Sequence, residues 1–402
     1  METEIKKICV MGLGYIGLPT SALLANRGFQ VHGVDINQKA VDTINQGKIH
    51  IVEPELDTFV KAAVDSGKLK ASTVPAEADV FVLAVPTPFH KDSGETPRPN
   101  IDYVLAATKA IVPFVKEGNI VILESTSPVG TTDEVARVLR ESGIDRDKVY
   151  VAHCPERVLP GHIMRELIEN DRVVGGITPA ATKITAEFYR TFVQGEVLET
   201  DARTAEMAKL TENSCRDVQI AFANELSLIC DKMGIDVWEL IRLANRHPRI
   251  NILQPGVGVG GHCIAVDPWF IVDSDPENSQ LIRKAREVNL HKTEWGIEKI
   301  KAEAAKLGKA KPVVALMGLA FKPDIDDLRE SPAVQVARAL KAEGELELLF
   351  VEPNLVAHHE FDLTPAKDAA EKADLVVFLV KHKGFSGLKA GGQVLDFCGV
   401  GK

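Results

Sequence analysis

Aromatic residues are scarce, 5% of a 402-residue chain. That leaves too few ring faces for a platform on which single-stranded bases stack. Basic residues are outnumbered: 47 Lys and Arg stand against 57 Asp and Glu, a formal net charge of −10. Sequence-independent nucleic-acid binding and attachment to an anionic membrane both need a cationic surface, so neither is an expected partner. A local cationic pocket for an acidic small molecule stays compatible with this charge. Long apolar runs are missing as well. The longest uncharged stretch, Ile250 to Val266, is broken by Pro255 and four glycines and carries Asn251, Gln254 and His262, which is no membrane span. METEIKKICV leads directly into a strand pattern without the apolar core of a signal peptide. The six cysteines, at 9, 154, 215, 230, 263 and 398, include no CxxC pair. They read as reduced thiols of a cytoplasmic protein, and no metal is expected.

What remains is an ordinary globular composition, 45% hydrophobic and 26% charged, and a length that suits two or three domains. In the N-terminal half, KKICVMGLG, FQVHGVDI, ADVFVLAVPTP, NIVILESTSP and KVYVAHCPE are short apolar runs separated by helical patterns. That alternation predicts a doubly wound α/β domain with buried parallel strands, placed over residues 1–200. From Asp201 to about Leu307 helical periodicity takes over, interrupted by a glycine-rich loop from Gln254 to Pro268. Residues 201–307 are therefore expected to form a central helical domain, whose last helix is long enough to link two domains. From Lys311 the strands return (KPVVALMGLAF, LELLFVEP, ADLVVFLV, GQVLDFC), and 308–402 reads as a second, smaller α/β domain. Met11-Gly12-Leu13-Gly14 and Met317-Gly318-Leu319-Ala320 occupy equivalent places in the two, the second without the full glycine fingerprint.

Gly12-x-Gly14-x-x-Gly17 follows a strand and opens a helix expected over Leu18 to Arg27. Glycines there permit a tight turn, close approach of a pyrophosphate and close strand–helix packing, and the helix N-terminus offers free N–H groups to the phosphates. Asp35 ends the second strand, 18 residues after Gly17, where an acid binds the adenosine ribose hydroxyls and repels a ribose phosphate. NAD rather than NADP is the expected cofactor. Thr87 and Thr126 end later strands of the same sheet. They are either cofactor or water contacts or ordinary turn residues.

The loop QPGVGVGGHCIAVDP sets Cys263 among four glycines, with Asp267 four residues on. Dense glycine implies a backbone packed close to a ligand or an unusual turn, which makes Cys263 the first candidate nucleophile and Cys154, in HCPER, the second. Lys209, Asn213 and Arg216, continued by Ile220 and Asn224, share one helical face. A solvated charged stripe is the plain alternative, but Asn213 and Asn224 are poor helix formers in an Ala/Leu-rich helix. Arg246, His247 and Arg249 form a cationic cluster suited to a phosphorylated substrate. Ser331 and Pro332 are a good N-cap and first helical residue, and Lys322 and Arg329 beside them make a second phosphate-binding candidate.

Taken together, GLGYIGLP, PTP, ESTSPVGT, CPER, the Lys209–Asn213 helix, GVGGHC and FKPDIDDLRESP resemble the UDP-glucose/GDP-mannose dehydrogenase family, in the family's order and over essentially the whole chain. Within it, CPERVLPG, LIRLANRHPRINILQPGVGVGGHCIAVDPWFIV and FKPDIDDLRESPA are most similar to members that oxidise UDP-N-acetyl-D-mannosamine. The same chemistry on UDP-N-acetylglucosamine or UDP-glucose is the alternative. The resemblance implies two Rossmann-like doubly wound domains joined by a central helical domain with a long linker helix. It implies a four-electron oxidation of a nucleotide sugar's primary alcohol to a carboxylate by NAD, for polysaccharide precursor synthesis, in a cytoplasmic homodimer or higher homo-oligomer. It assigns Lys209 as base or alkoxide stabiliser, Cys263 as the thiolate that traps the aldehyde, and Glu156 with Thr126 to position water. Asn213 and Asp267 orient the groups around them. It assigns Gly12, Gly14, Tyr15, Ile16, Gly17, Asp35, Thr87, Thr126 and Arg329 to the cofactor. Substrate contacts fall to Arg157, Val158, Lys209, Asn213, Arg216, His247, Arg249, Gly260, Phe321 and Lys322. The tail VLDFCGVGK departs from the family pattern by placing Cys398 where a basic residue is usual.

Overall fold

The computed structural model describes residues 5–90, 96–145, 147–261 and 263–401. The chain divides into two compact units: residues 1–211 with 269–274, and residues 212–268 with 275–402. Among the described residues no helix is long and apolar enough to cross a membrane.

The first unit is built on eight strands: β1 (Lys7–Met11), β2 (Gln30–Val34), β3 (Leu69–Ser72), β4 (Val80–Leu83), β5 (Ile120–Leu123), β6 (Tyr150–His153), β7 (Arg172–Gly176) and β8 (Val197–Asp201). Their order in the sheet is β3-β2-β1-β4-β5-β6-β7-β8. All pair in parallel except β6 with β7. The VFVL of β4 and the IVIL of β5 are buried throughout, as continuous apolar strands covered on both faces must be. The strand order reverses between β1 and β4, which makes the carboxyl end of β1 the place where such sheets bind ligands.

The helix Ala202–Met233 begins in the first unit and continues into the second, which divides from it after Thr211. Beyond Thr211 it buries a stripe at Ser214, Asp217, Ala221, Asn224, Ser227 and Cys230, the spacing of one helical face. Much of that stripe is polar, and the helix Gln280–Ala305 answers it. Arg286 Nη1 donates to Asp217 Oδ1 at 2.6 Å, and Asn289 Nδ2 donates to the same oxygen at 2.8 Å. Asn224 Nδ2 donates to Asn289 Oδ1 at 2.9 Å, and Lys292 Nζ to Ser227 Oγ at 2.8 Å. At 26 residues, Gln280–Ala305 is about 39 Å long.

The second unit also contains a parallel sheet, β9 (Val313–Met317), β10 (Glu347–Val351), β11 (Leu375–Phe378) and β12 (Gln393–Asp396), ordered β10-β9-β11-β12. The internal echo is structural: Gly12 and Gly318 leave their strands at φ 91° and 94°. In the first copy Asp35 Oδ2 accepts the Leu13 N–H at 3.0 Å. In the second, Glu352 Oε2 accepts both Leu319 N–H and Ala320 N–H at 2.9 Å and lies 3.1 Å from His382 Nε2. The second turn thus spends its free N–H groups on its own carboxylate.

Candidate active site

The glycines of the first turn do three different things. A Cβ on Gly12 would lie 2.6 Å from Ala84 O, and one on Gly17 would lie 1.8 Å from Gly12 O; these two close the strand–turn–helix joint. A Cβ on Gly14 would meet no protein atom within 4 Å, so this residue leaves the backbone open to a ligand. The helix Gly17–Asn26, one residue earlier at each end than the sequence suggests, has no side-chain cap and no acid in its first turn. Leu18 N–H is taken by Gly14 O and Pro19 has none, so what this helix offers a phosphate is chiefly its positive end. Asp35, at the end of β2, is held by the N–H groups of Leu13 and Asn37. Tyr15 is exposed and Ile16 half-buried beside it. The cradle fits a dinucleotide with an unphosphorylated ribose, NAD.

Further along the same sheet, the loops after β4 and β5 are stitched together. Thr87 Oγ1 donates to Thr126 O at 2.6 Å, and Ser125 Oγ to Val85 O at 2.7 Å. Thr87 is buried and Thr126 half-buried. Glu206 docks the start of the long helix on this region. Its carboxylate accepts Gly130 N–H, Thr132 N–H and the Thr132 hydroxyl at 2.6–2.7 Å, capping the helix Thr131–Glu141. Lys209 lies three residues beyond Glu206 on the helix Ala202–Met233 and is half-buried. After β6, Glu156 is buried; its Oε2 accepts from Arg172 Nη1 at 2.6 Å and its Oε1 from the Arg157 N–H at 2.6 Å. Val158 packs on the core, and Arg157 Nη1 reaches Asp171 O at 3.3 Å.

In the second unit Asp267 is buried and accepts a short hydrogen bond from Asn213 Nδ2. The Cys263 carbonyl accepts from the N–H groups of Val266 and Asp267 at 3.0 and 2.8 Å, so the turn that presents Cys263 runs directly into the helix Asp267–Ser274. Cys263 is exposed; His262 before it lies outside the described residues. Three of the four glycines ahead of it are explained by protein contacts. A Cβ on Gly258 would lie 2.3 Å from Thr293 Oγ1, one on Gly260 2.5 Å from Glu330 O, and one on Gly261 2.9 Å from the Phe321 ring. The loop is pressed against the segment Phe321–Pro332, which brings Gly260 and Phe321 together. Ser331 caps the helix Pro332–Glu343, as its sequence suggests.

Two sequence readings change. Asn224 continues no ligand-facing stripe: it is fully buried, and its Oδ1 accepts the Gly256 N–H at 2.9 Å, anchoring the cysteine loop to the helix. Cys154 is fully buried, and burial pushes its thiol up to about 12, so it holds almost no thiolate near neutrality. Arg216, Arg246, Arg249 and Lys322 are exposed cations of the second unit, and His247 is exposed as well. Arg329 is exposed and makes a two-pronged pair with Asp327, Nη2 to Oδ2 at 2.6 Å. Cys398 is partly buried, with its Sγ 3.6 Å from Phe378 O. Arg172 and Tyr189, which surround Glu156 and Glu124, were missed at the sequence level. The available signal was an arginine opening an otherwise apolar strand, RVVGG.

Three successive segments match the UDP-glucose/GDP-mannose dehydrogenase family: residues 6–193 its NAD binding domain, 203–291 its central domain and 315–396 its UDP binding domain. A UDP-N-acetyl-D-mannosamine dehydrogenase of Campylobacter jejuni is 53% identical over 411 residues, covering 98% of this chain and all of that one. An NDP-N-acetyl-D-galactosaminuronic acid dehydrogenase of Ralstonia solanacearum is also 53% identical, covering 96% and 93% of the two chains. The solved UDP-N-acetyl-mannosamine dehydrogenase of S. aureus superposes with a TM-score of 0.88 at 42% identity, covering 98% and 99% of the two chains.

Proposed function

The chain belongs to the UDP-glucose/GDP-mannose dehydrogenase family, and we propose that it oxidises UDP-N-acetyl-D-mannosamine to UDP-N-acetyl-D-mannosaminuronic acid with NAD, as the name of its Campylobacter relative states for that protein. It is an NAD-dependent dehydrogenase of a nucleotide sugar. The observation that carries the reaction is the 53% identity over 98% of the chain, with Cys263, Lys209, Asn213, Asp267, Glu156 and Thr126 all present; the sugar follows the Campylobacter relative's name and is what the panel below decides.

Gly12, Gly14, Tyr15, Ile16, Gly17, Asp35, Thr87, Thr126 and Arg329 would hold NAD, which would supply a hydride acceptor for each of the two oxidations, a fresh NAD replacing NADH between them. Lys209 takes the hydroxyl proton or steadies the alkoxide. Cys263 Sγ adds to the aldehyde carbon, forming a C–S bond and a thiohemiacetal, and the second oxidation converts this to a thioester on Cys263. Glu156 with Thr126 positions the water that adds to the thioester carbon. The C–S bond then breaks, sulfur leaves as the thiolate, and the sugar leaves as its carboxylate. Each sugar loses four electrons as two hydrides, consumes one water and releases three protons. Asn213 and Asp267, already bonded to each other, orient the groups around the developing oxyanion. Arg157, Val158, Arg216, His247, Arg249, Gly260, Phe321 and Lys322 bind the UDP-sugar.

Residues 1–200 form the NAD domain in this reading, 201–307 the central catalytic and dimerisation domain, and 308–402 the UDP-sugar domain. A homodimer or higher homo-oligomer is supported by Phe222, Ile229 and Met233, exposed apolar side chains at helical spacing on the long central helix. A cytoplasmic location is supported by six cysteines outside any disulfide, of which Cys215 and Cys263 are exposed.

The test is a panel of UDP-sugars with NAD, followed by NADH absorbance and by product mass. It includes UDP-N-acetylglucosamine, UDP-glucose and, given the equally similar Ralstonia relative, UDP-N-acetyl-D-galactosamine. Two NADH per sugar and a uronic acid, with UDP-N-acetyl-D-mannosamine turned over fastest, is the expected result. A different preferred sugar overturns the substrate, and one NADH per sugar overturns the chemistry.

A further inference from the structure

Behind Glu156 the first unit buries a charged cluster that the reaction above leaves unused. Arg172, at the start of β7, is fully buried. Its Nη1 donates to Glu156 Oε2 at 2.6 Å, its Nη2 to Leu167 O at 3.1 Å, and its guanidinium carbon sits 5.7 Å from the centre of the Tyr189 ring. Tyr189, on the helix Pro179–Arg190, donates its hydroxyl to Glu124 Oε1 at 2.9 Å. Glu124 follows β5 directly and stands two residues before Thr126, and it too is buried. The ends of β5 and β6, the start of β7 and one helix therefore converge on two carboxylates and one guanidinium. The titratable groups acting on Glu124 are Glu156, Arg172, Tyr189 and Cys154.

One guanidinium in a dry site cannot neutralise two carboxylates. Burial first, and then the charge of Glu156, push Glu124 up to about 7. Below that pH Glu124 is neutral and Arg172 is committed to Glu156. Above it Glu124 is charged, and that charge acts on the same guanidinium, which bonds Glu156 and Leu167 O.

We propose that Arg172 and Glu124 are positioning residues for thioester hydrolysis: Arg172 holds the Glu156 carboxylate where it directs the attacking water, and Glu124 sets how firmly Arg172 does so. This rests on the role given to Glu156 above. Hydrolysis, and not either hydride transfer, is then the step that feels this cluster, and the step slows as Glu124 ionises.

The experiment uses the full-length chain with UDP-N-acetyl-D-mannosamine and NAD, and Arg172→Met, Arg172→Lys and Glu124→Gln. Rapid mixing should show Arg172→Met releasing a burst of two NADH per site, followed by a steady state at least tenfold slower than wild type. A sugar-nucleotide adduct on Cys263 should appear by mass. Arg172→Lys should recover part of the rate, and Glu124→Gln, which mimics the protonated acid, should remove the ionisation near pH 7 from the hydrolysis rate with KM within about twofold. Should Arg172→Met not fold, Arg172→Lys and the near-isosteric Glu124→Gln carry the decision. No burst in either folded Arg172 variant, or an unchanged pH profile in Glu124→Gln, overturns the proposal while leaving the reaction standing. Fewer than two NADH per sugar from wild type overturns both.

Discussion

The two cysteines that compete for the role of nucleophile differ in surroundings, and exchanging each for alanine separates them. Cys263 is exposed, and what holds its turn is its own carbonyl, accepting from Val266 and Asp267 N–H. Truncating the side chain leaves those bonds intact, so Cys263→Ala should change stability by no more than about 0.5 kcal/mol. Cys154 is fully buried among the apolar residues of the first unit. Losing its sulfur should cost roughly 1 kcal/mol, a shift of about 1–2 °C in the melting temperature of a chain this long. Function should move the other way. With its thiol pushed to about 12, Cys154 offers on the order of one thiolate in ten thousand at pH 8, so Cys154→Ala should keep two NADH per sugar. Cys263→Ala should stop at no more than one, with the aldehyde or its hydrate as product. Cys263→Ser should accumulate a sugar-nucleotide ester, because an alkoxide is a far poorer leaving group than a thiolate. The assay is NADH counted against sugar consumed, with intact-protein mass and a thermal melt on the same samples. Two NADH per sugar from Cys263→Ala at near wild-type rate, or loss of the second NADH in Cys154→Ala, would refute the assignment.

Asp35→Ala should raise the KM for NAD and narrow the preference over NADP, read from kcat/KM with each cofactor; equal use of both by wild type would remove the role given to Asp35. Arg249→Ala and Lys322→Ala should each raise the KM for the UDP-sugar about 10- to 150-fold, the worth of a charge-assisted hydrogen bond of roughly 1.5–3 kcal/mol, while kcat changes little; unchanged KM values would make both plain surface charges. Lys292 is buried, and desolvation lowers its ammonium to about 7. The unfolded chain therefore binds one more proton than the native one between about pH 7 and the ordinary lysine range, and stability must rise with pH across that window. Its steepest slope is roughly 1.4 kcal/mol per pH unit. Lys292→Met should flatten that rise in urea titrations from pH 7 to 10, and a parallel pH dependence in both proteins would show that Lys292 stays charged.

Much of this protein is legible in its sequence because the informative constraints are local. A glycine triplet after a strand and an acid at the end of the next strand place the cofactor, since both answer to backbone geometry within one βαβ unit. The strands β1, β2, β4, β5 and β6 announce themselves as apolar runs because they are buried on both faces. β3, β7 and β8 do not: β3 and β8 lie at the ends of the sheet with exposed positions, and β7 begins with a buried arginine. The glycines before Cys263 show by number that something presses on that loop. Only the fold shows that it is the protein itself, through Glu330, Phe321 and Thr293. Asn224 looks like a ligand-facing residue on a helical wheel, yet it bridges that loop to Asn289. Arg172 lies 16 residues from Glu156, and Tyr189 lies 65 residues from Glu124. Whether such a charge is solvated or locked in a dry cluster depends on what packs over it, and that is decided when strands distant in sequence become neighbours in one sheet.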